Sequence, residues 1–264
     1  MKTRRGIQSI EVGGQLLRVL VTCGKPMALR DVAKQADMTT AKAHPYMVSF
    51  CNLGLVKQDP DNGLYELGPF ALQLGLVCLQ RLDAVQEARP ELKELAAKTG
   101  QSIAIAIWGN MGPTIVAMEE SSYPIHVNLR VGAVMSLMDT ATGRVFGAFL
   151  PPKMTEKLAN EENKRLSPED ATKRGNVMKE FEESLNDIRA HMLAQAVGYP
   201  VPGINALSAP IFNHDGNVVL ALTAMGPAGA FDASLDGDIA NRLRQAAQNV
   251  SERLGYGVGE QALS

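Results

Sequence analysis

Few residues of this 264-residue chain have the types and spacing for covalent or metal chemistry. No two of its four histidines, His44, His126, His191 and His214, stand at metal-ligand spacing, and neither a Gly-x-Ser-x-Gly turn nor a phosphate-loop glycine run occurs. The carboxylate pairs Glu119-Glu120 and Glu182-Glu183 lie in surface-like sequence, where a solvated face explains them. Cys23, Cys51 and Cys78 are too far apart for a metal knuckle and are expected as small buried hydrophobes on helix faces. No catalytic residue, metal or cofactor is therefore expected, and what remains is recognition chemistry. Asp139-Thr140-Ala141-Thr142-Gly143 is a small-residue loop running into a helix. The N–H groups of Ala141, Thr142 and Gly143 and the positive helix end suit a carboxylate, although plain capping by Thr140 explains the same residues equally well. Upstream, Ala41, Lys42, Pro45, Val48, Ser49 and Asn52 share one side of a helix at 100° per residue. That side has one cation, hydrogen-bonding groups and little bulk, which fits a major groove.

The elements that must position these residues follow from periodicity and turn chemistry. A first helix over 7–22 offers Ile10, Leu16, Leu17, Leu20 and Val21 as a cover and ends at Gly24-Lys25-Pro26. A short helix from Leu29 to Ala36, the turn Asp37-Met38 and a helix N-capped by Thr39 or Thr40 and running to about Leu53 make a helix-turn-helix, with Ala43, Met47, Phe50 and Cys51 inward. Gly54 stops that helix, and Leu55-Val56-Lys57 and Leu64-Tyr65-Glu66-Leu67 flank the turn Asp59-Pro60-Asp61-Asn62-Gly63 as a wing. An ordinary three-helix corner is the competing reading, and the hairpin argues against it. A helix from Phe70 to about Gln86 carries Leu72, Leu76 and Leu79 toward a partner or toward its own domain, and Pro90 starts another that ends at Thr99-Gly100. Strands and helices then alternate. Strands are expected at Ile103–Trp108, Thr114–Glu120, His126–Val131, Ala206–Asn213 and Val218–Met225, and helices at Thr140–Leu150, Lys153–Ala159, Val177–Val197 and Ile239–Leu254. This is an α+β sensor domain. Leu129 and Trp108 are placed to wall a pocket beside the 139–143 loop, and Arg130 would add a cation if its strand face points inward.

Composition fits two soluble domains: 45% hydrophobic, 20% charged and a formal net charge of −2. The longest apolar runs are strand-sized and Met1-Lys2-Thr3-Arg4-Arg5 leads into polar helix, so a cytoplasmic protein with no membrane partner is expected. Residues 1–68 hold nine Lys/Arg against six Asp/Glu, and the remainder seventeen against twenty-two. A +3 head on a −5 body suits a molecule that touches phosphate at one end, and random surface charge accounts for a difference this small as well.

Several segments together resemble the IclR-type transcriptional regulators, over nearly the whole chain. They are Leu29-Arg30-Asp31-Val32-Ala33, Lys42-Ala43-His44, Leu53-Gly54-Leu55-Val56, Gly63-Leu64-Tyr65-Glu66-Leu67-Gly68-Pro69, Arg130-Val131-Gly132, Asp139-Thr140-Ala141-Thr142-Gly143-Arg144, Gly198-Tyr199 and Ala206-Leu207-Ser208-Ala209-Pro210-Ile211-Phe212. The resemblance implies a winged helix-turn-helix domain at 1–68, a linker helix at 69–83 that helps pair the heads, and a GAF-like effector and oligomerisation domain at 84–264. Contacts to double-stranded operator DNA are then expected from Thr39, Thr40, Ala41, Lys42, His44, Pro45, Ser49 and Lys57. Family effectors sit against the loop matching 139–143, and Ile204, Ala206, Thr223 and Met225 match other positions lining that pocket. Two departures stand out. The family commonly starts this helix with Pro-Lys-Ser-Thr and has Arg after the histidine, where this chain has Thr39-Thr40-Ala41-Lys42 and Pro45. The usual acidic residue after Gly-Tyr is missing from Pro200-Val201-Pro202-Gly203. The expectation is a homodimer or dimer of dimers whose operator binding answers to a small organic acid, aromatic rather than glyoxylate-sized. A sensor whose winged helix binds protein is the runner-up, and an enzyme is third.

Overall fold

The structure is a computed structural model that describes residues 6–120, 129–166 and 171–257, with all side chains within them except those of 79–81, 166 and 171–175. It divides into two compact units at Leu82/Asp83. In the first, α1 (Gln8–Cys23) closes on Gly24 in the left-handed region (φ 62°), and α2 (Leu29–Gln35) and α3 (Thr40–Asn52) follow. Asp37 makes the turn between α2 and α3 at φ 52°, a conformation that a short polar side chain tolerates. Thr39 caps α3 by accepting from the Lys42 N–H at 3.3 Å. Leu16 and Leu20 of α1, Val32 and Ala33 of α2, and Ala43 and Met47 of α3 form the core. Ile10 and Val21, expected to cover that core, are 69% and 50% exposed. Gly13 takes the contact instead, because α3 brings the Tyr46 and Phe50 rings so near that a Cβ there would clash.

The wing is β1 (Val56–Gln58) paired antiparallel with β2 (Tyr65–Leu67). Its turn is held by the Asp59 carboxylate, which accepts from Asp61 N at 2.8 Å and Asn62 Nδ2 at 2.9 Å. Met27 adds a bridge that the sequence does not advertise, exchanging backbone hydrogen bonds of 2.9 and 2.8 Å with Tyr65. The helix expected from Phe70 to Gln86 is interrupted. Instead, α4 (Pro69–Arg81) ends, and α5 (Ala84–Thr99) begins on Asp83, whose carboxylate accepts from Val85 N at 2.9 Å and Gln86 N at 3.2 Å. Pro90, expected to start a helix, lies inside α5, where burial of Ala88, Leu92 and Leu95 holds the helix through it. Leu72 and Leu76 of α4 are exposed, and the Leu79 side chain lies outside those described. The cysteines are not the buried hydrophobes expected: Cys78 is exposed, and Cys23 and Cys51 are half-buried.

The second unit is one antiparallel sheet between two helical layers. Its strands are β3 (Ser102–Gly109), β4 (Gly112–Glu119), β5 (Ala194–Val197), β6 (Ile204–Phe212) and β7 (Val218–Pro227), in the order β4-β3-β7-β6-β5. One face carries Ile103, Ile105, Leu207, Ile211, Leu220 and Leu222 against α5 and α9 (Asp238–Arg253). The other carries Ala104, Ala106, Ala221 and Met225 against α6 (Ala141–Phe149), α7 (Pro152–Leu166) and α8 (Ala171–His191). Both faces are covered, so inward and outward residues along β6 and β7 are alike buried. Of the strand expected at His126–Val131, residues 126–128 lie outside the described set and Leu129–Val131 is loop; the nearby pairing is a single bridge, Thr114 to Val134. The helix expected at Val177–Val197 stops at His191, where Met192 turns left-handed (φ 52°), and Val197 belongs to β5, paired with β6. Among the described residues no helix is long and apolar enough to cross a membrane.

Asp83 is the specific anchor of α5. Asp83→Ala should lower the stability of the 83–256 unit by about 1 kcal/mol in urea unfolding, and Asp83→Asn should restore most of it. An unchanged midpoint in the alanine variant would mean that packing alone sets the helix start.

Candidate functional site

In the first unit the candidate recognition surface is the side of α3 opposite its core contacts. Ala43 and Met47 are fully buried, and Ala41, Lys42, His44, Pro45, Val48, Ser49 and Asn52 are exposed. Thr39 and Thr40 stand exposed at the helix start, with the Thr39 hydroxyl engaged as the cap. Two expected contacts are partly committed elsewhere. Ser49 Oγ donates to the Pro45 carbonyl at 2.9 Å, and Lys57 Nζ on the wing pairs with Glu66 at 2.9 Å. The basic residues Lys2, Arg4 and Arg5 lie outside the described residues. Pro45 is the sixth residue of the helix and brings no N–H for the Ala41 carbonyl, a local cost of up to about 3 kcal/mol in a helix interior.

In the second unit, a cavity of about 70 Å³ opens between the start of α6 and the β5–β6–β7 end of the sheet. Seven of the ten residues expected around a ligand line it: Leu129, Ala141, Thr142, Ile204, Ala206, Thr223 and Met225. Three do not. Trp108 packs on Phe146 with ring centroids 5.8 Å apart, and Arg130 is exposed because its segment is loop rather than strand. The Gly143 N–H is taken by Thr140 Oγ1 at 2.9 Å. Sequence reasoning missed Met135, Ala196, Tyr199, Pro200 and Val201, which with the capping Thr140 complete the wall. The Gly198-Tyr199 pair was their one signal, since it lies where β5 leaves the sheet.

The loop leading into α6 is fixed from several sides. Glu162 of α7 accepts from Ser136 Oγ at 2.8 Å, Leu137 N at 2.8 Å and Met138 N at 3.0 Å. Thr140 Oγ1 donates to Ser136 O at 2.7 Å while accepting from Gly143 N. The first turn of α6 thereby leaves the Ala141 and Thr142 N–H groups without a protein acceptor among the described residues. Deeper in the wall, Thr142 Oγ1 lies 2.8 Å from Thr223 Oγ1, which lies 2.9 Å from Ser208 Oγ. Three hydroxyl protons share two contacts, so one is left over. On Ser208, which is 0% exposed, it would have no acceptor, at a cost of about 1–3 kcal/mol. Ser208 therefore donates, and the spare proton belongs to Thr142 or Thr223, both of which line the cavity.

A polar cleft adjoins this cavity and shares Tyr199 with it. There Arg144 donates from Nε to Met138 O at 2.7 Å; burial pulls its pKa down while Asp139 opposes the shift. Burial, and then the charge of Asp139 and the hydrogen bond to it, push the Tyr199 phenol up. Among the described residues no His, Cys, Asp and Glu cluster could hold a metal ion.

Residues 9–60 match the IclR helix-turn-helix domain, and residues 77–252 match the domain described as bacterial transcriptional regulator IclR C-terminal. The glycerol operon regulatory protein of Streptomyces griseus is 29% identical over 258 residues, covering 96% of this chain and 98% of that protein. The transcriptional regulator XynR of Escherichia coli is 24% identical over 254 residues, covering 95% and 98%. Among solved structures, Pseudomonas aeruginosa HmgR is 34% identical with a TM-score of 0.84, covering 95% of this chain and 99% of that one. Agobacterium tumefaciens repressor BlcR, at 19% identity and a TM-score of 0.73, shares the fold over 95% and 99%.

The position that admits least change is Gly143. A Cβ there would fall under 3 Å from the backbone of Ser136 and Leu137, so Gly143→Ala should destabilise the 83–256 unit by about 1–3 kcal/mol. A thermal melt unchanged from wild type would show that the loop can retreat from α6.

Proposed function

Since the chain belongs to the IclR family of bacterial transcriptional regulators, with a DNA-binding helix-turn-helix domain and a C-terminal effector domain, we propose that a small aromatic carboxylic acid controls its operator binding. The observation that carries this reading is the conjunction of two unclaimed N–H groups, Ala141 and Thr142, with an otherwise apolar cavity. A partly buried carboxylate needs charge-assisted donors, and a helix start supplies them without a formal cation in an apolar wall. The spare hydroxyl proton of the Thr142–Thr223–Ser208 chain adds a third. Size agrees. A water needs about 10–15 Å³ of such volume and occupies about 30 Å³ of liquid, so the cavity holds roughly five waters, about the bulk of one six-membered ring. Leu129, Ile204, Ala206 and Met225 would cover the ring body.

In this reading residues 1–68 bind DNA, 69–83 link and help pair two heads, and 84–264 hold the ligand and assemble copies. Exposed Leu72 and Leu76 on α4 support the pairing role, since an apolar stripe left in water favours a second copy. The α3 side of the first unit would dock in the major groove as a dimer on a near-palindromic site. Control by ligand requires that binding differ between DNA-competent and DNA-incompetent states. The acid and the operator should then shift each other's affinity equally, by about 1–3 kcal/mol.

Duplex binding should weaken steeply with salt. A dimer neutralising about six phosphates should lose on the order of a thousandfold in affinity between 50 and 200 mM salt, measured by fluorescence anisotropy. A flat profile would remove the phosphate contacts from the reading. Calorimetry with benzoate, phenylacetate and their ring-hydroxylated derivatives, set against pyruvate and glyoxylate, tests the ligand. Thr142→Phe should fill the cavity and abolish binding of the aromatic acid while leaving ligand-free DNA affinity intact; unchanged acid affinity would move the site elsewhere.

A further inference from the structure

Around the axis of α3, at 100° per residue, the residues furthest from the buried Ala43 and Met47 are Pro45, Asn52, Ala41 and Ser49. Over its first two turns the outermost ridge of the recognition face is therefore apolar, Ala41 and Pro45, with Ser49 and Asn52 continuing it, Lys42 on one shoulder and Val48 and His44 on the other. Ser49 has already spent its proton on the Pro45 carbonyl, so toward a base it can only accept. Pro45 itself offers neither donor nor acceptor on its side chain. It also interrupts the hydrogen bonding of a 13-residue helix at an exposed position where its ring packs on no core, a local loss without a structural return. What the ring does offer a groove is a rigid apolar surface held by a locked backbone angle. Among the edges exposed in the major groove, the C5-methyl group of thymine is the apolar one.

We propose that Pro45, with Ala41 and Val48 beside it, is a specificity-determining residue that reads thymine methyl groups, so that each operator half-site carries thymine opposite the start of α3. The inference rests on α3 docking in the major groove. Lys42, exposed on the adjacent shoulder, suits a guanine edge or a phosphate, and Ser49, one turn beyond Pro45, suits the amino group of adenine or cytosine, so along the helix axis the methyl contact lies between two polar ones.

The test uses the full-length protein. It first selects duplexes from a randomised library, and the enriched site is then resynthesised with deoxyuridine replacing thymine one position at a time, which removes the methyl and keeps the base pair. At one or two thymines per half-site, wild-type affinity should fall about threefold to fourfold, the worth of one buried methyl, with other positions neutral. Pro45→Ala regains the helix N–H and so folds, which circular dichroism and an equal or higher melting temperature would verify. It should bind the thymine and deoxyuridine forms of the site equally. Equal wild-type affinity for both forms at every position would overturn the proposal, as would full discrimination retained by Pro45→Ala. If no sequence is enriched at all, groove docking by α3 fails and this inference fails with it, whereas enrichment without sensitivity to deoxyuridine defeats the methyl contact alone.

Discussion

The first turn of α6 lies on the backbone of Ser136 and Leu137 so closely that only a hydrogen fits at Gly143. Much of the second unit depends on that approach. It brings Thr140 to where its hydroxyl can cap Gly143 and grip Ser136 together, and it sets Thr142 against Thr223 on the sheet. Glu162 then closes the arrangement from α7 by taking three donors of the loop, two of them backbone N–H groups that would otherwise be buried without partners. A helix start held from three directions would not have to reorganise around the proposed ligand. Preorganisation of this kind keeps the affinity that a flexible loop would lose to ordering.

The sheet gives this helix a rigid floor because it is covered on both faces. Large aliphatic side chains fill the layer under α5 and α9, while the opposite layer uses Ala104, Ala106 and Ala221, which leave room for α6 to come near. The Thr142–Thr223–Ser208 chain carries polar groups into that second layer between α6 and the sheet, and each hydroxyl there has a partner. Buried polar networks are costly when incomplete, so this one fixes the registry of α6 over β6 and β7 as well as furnishing the cavity with a donor.

The first unit shows the opposite economy of surface. Its core is small, drawn from three helices and the base of a two-stranded wing, and apolar residues remain outside it on α3 and along α4. Leu72, Leu74, Leu76 and Val77 on α4 and Val48 on α3 stay in water in the isolated chain. Such exposure fits the proposed reading, in which a second copy covers one element and a duplex the other.

The sequence by itself determined the helix-turn-helix, the wing, the antiparallel order of the strands flanking Asn110-Met111 and His214–Asn217, and the helix start at Thr140, because each rests on local rules: periodicity, a capping hydroxyl, a glycine or aspartate at a turn. Seven of the cavity's lining residues were also legible, since the family pattern runs through Ala141-Thr142 and Ala206–Phe212. Tertiary structure decided the rest. Whether the chain breaks at Leu82 or runs on to Gln86 depends on Asp83 finding two N–H groups and on Ala88 and Leu92 finding a sheet, which no window of sequence contains. Arg130 turned outward because Leu129–Val131 is loop rather than paired strand, and Trp108, on paired β3, turned to Phe146 because α6 packs on that face of the sheet. The loss of Gly143 as a donor is likewise a matter of geometry. The sequence placed a hydroxyl three residues before an N–H, and only the fold showed that the two had already met.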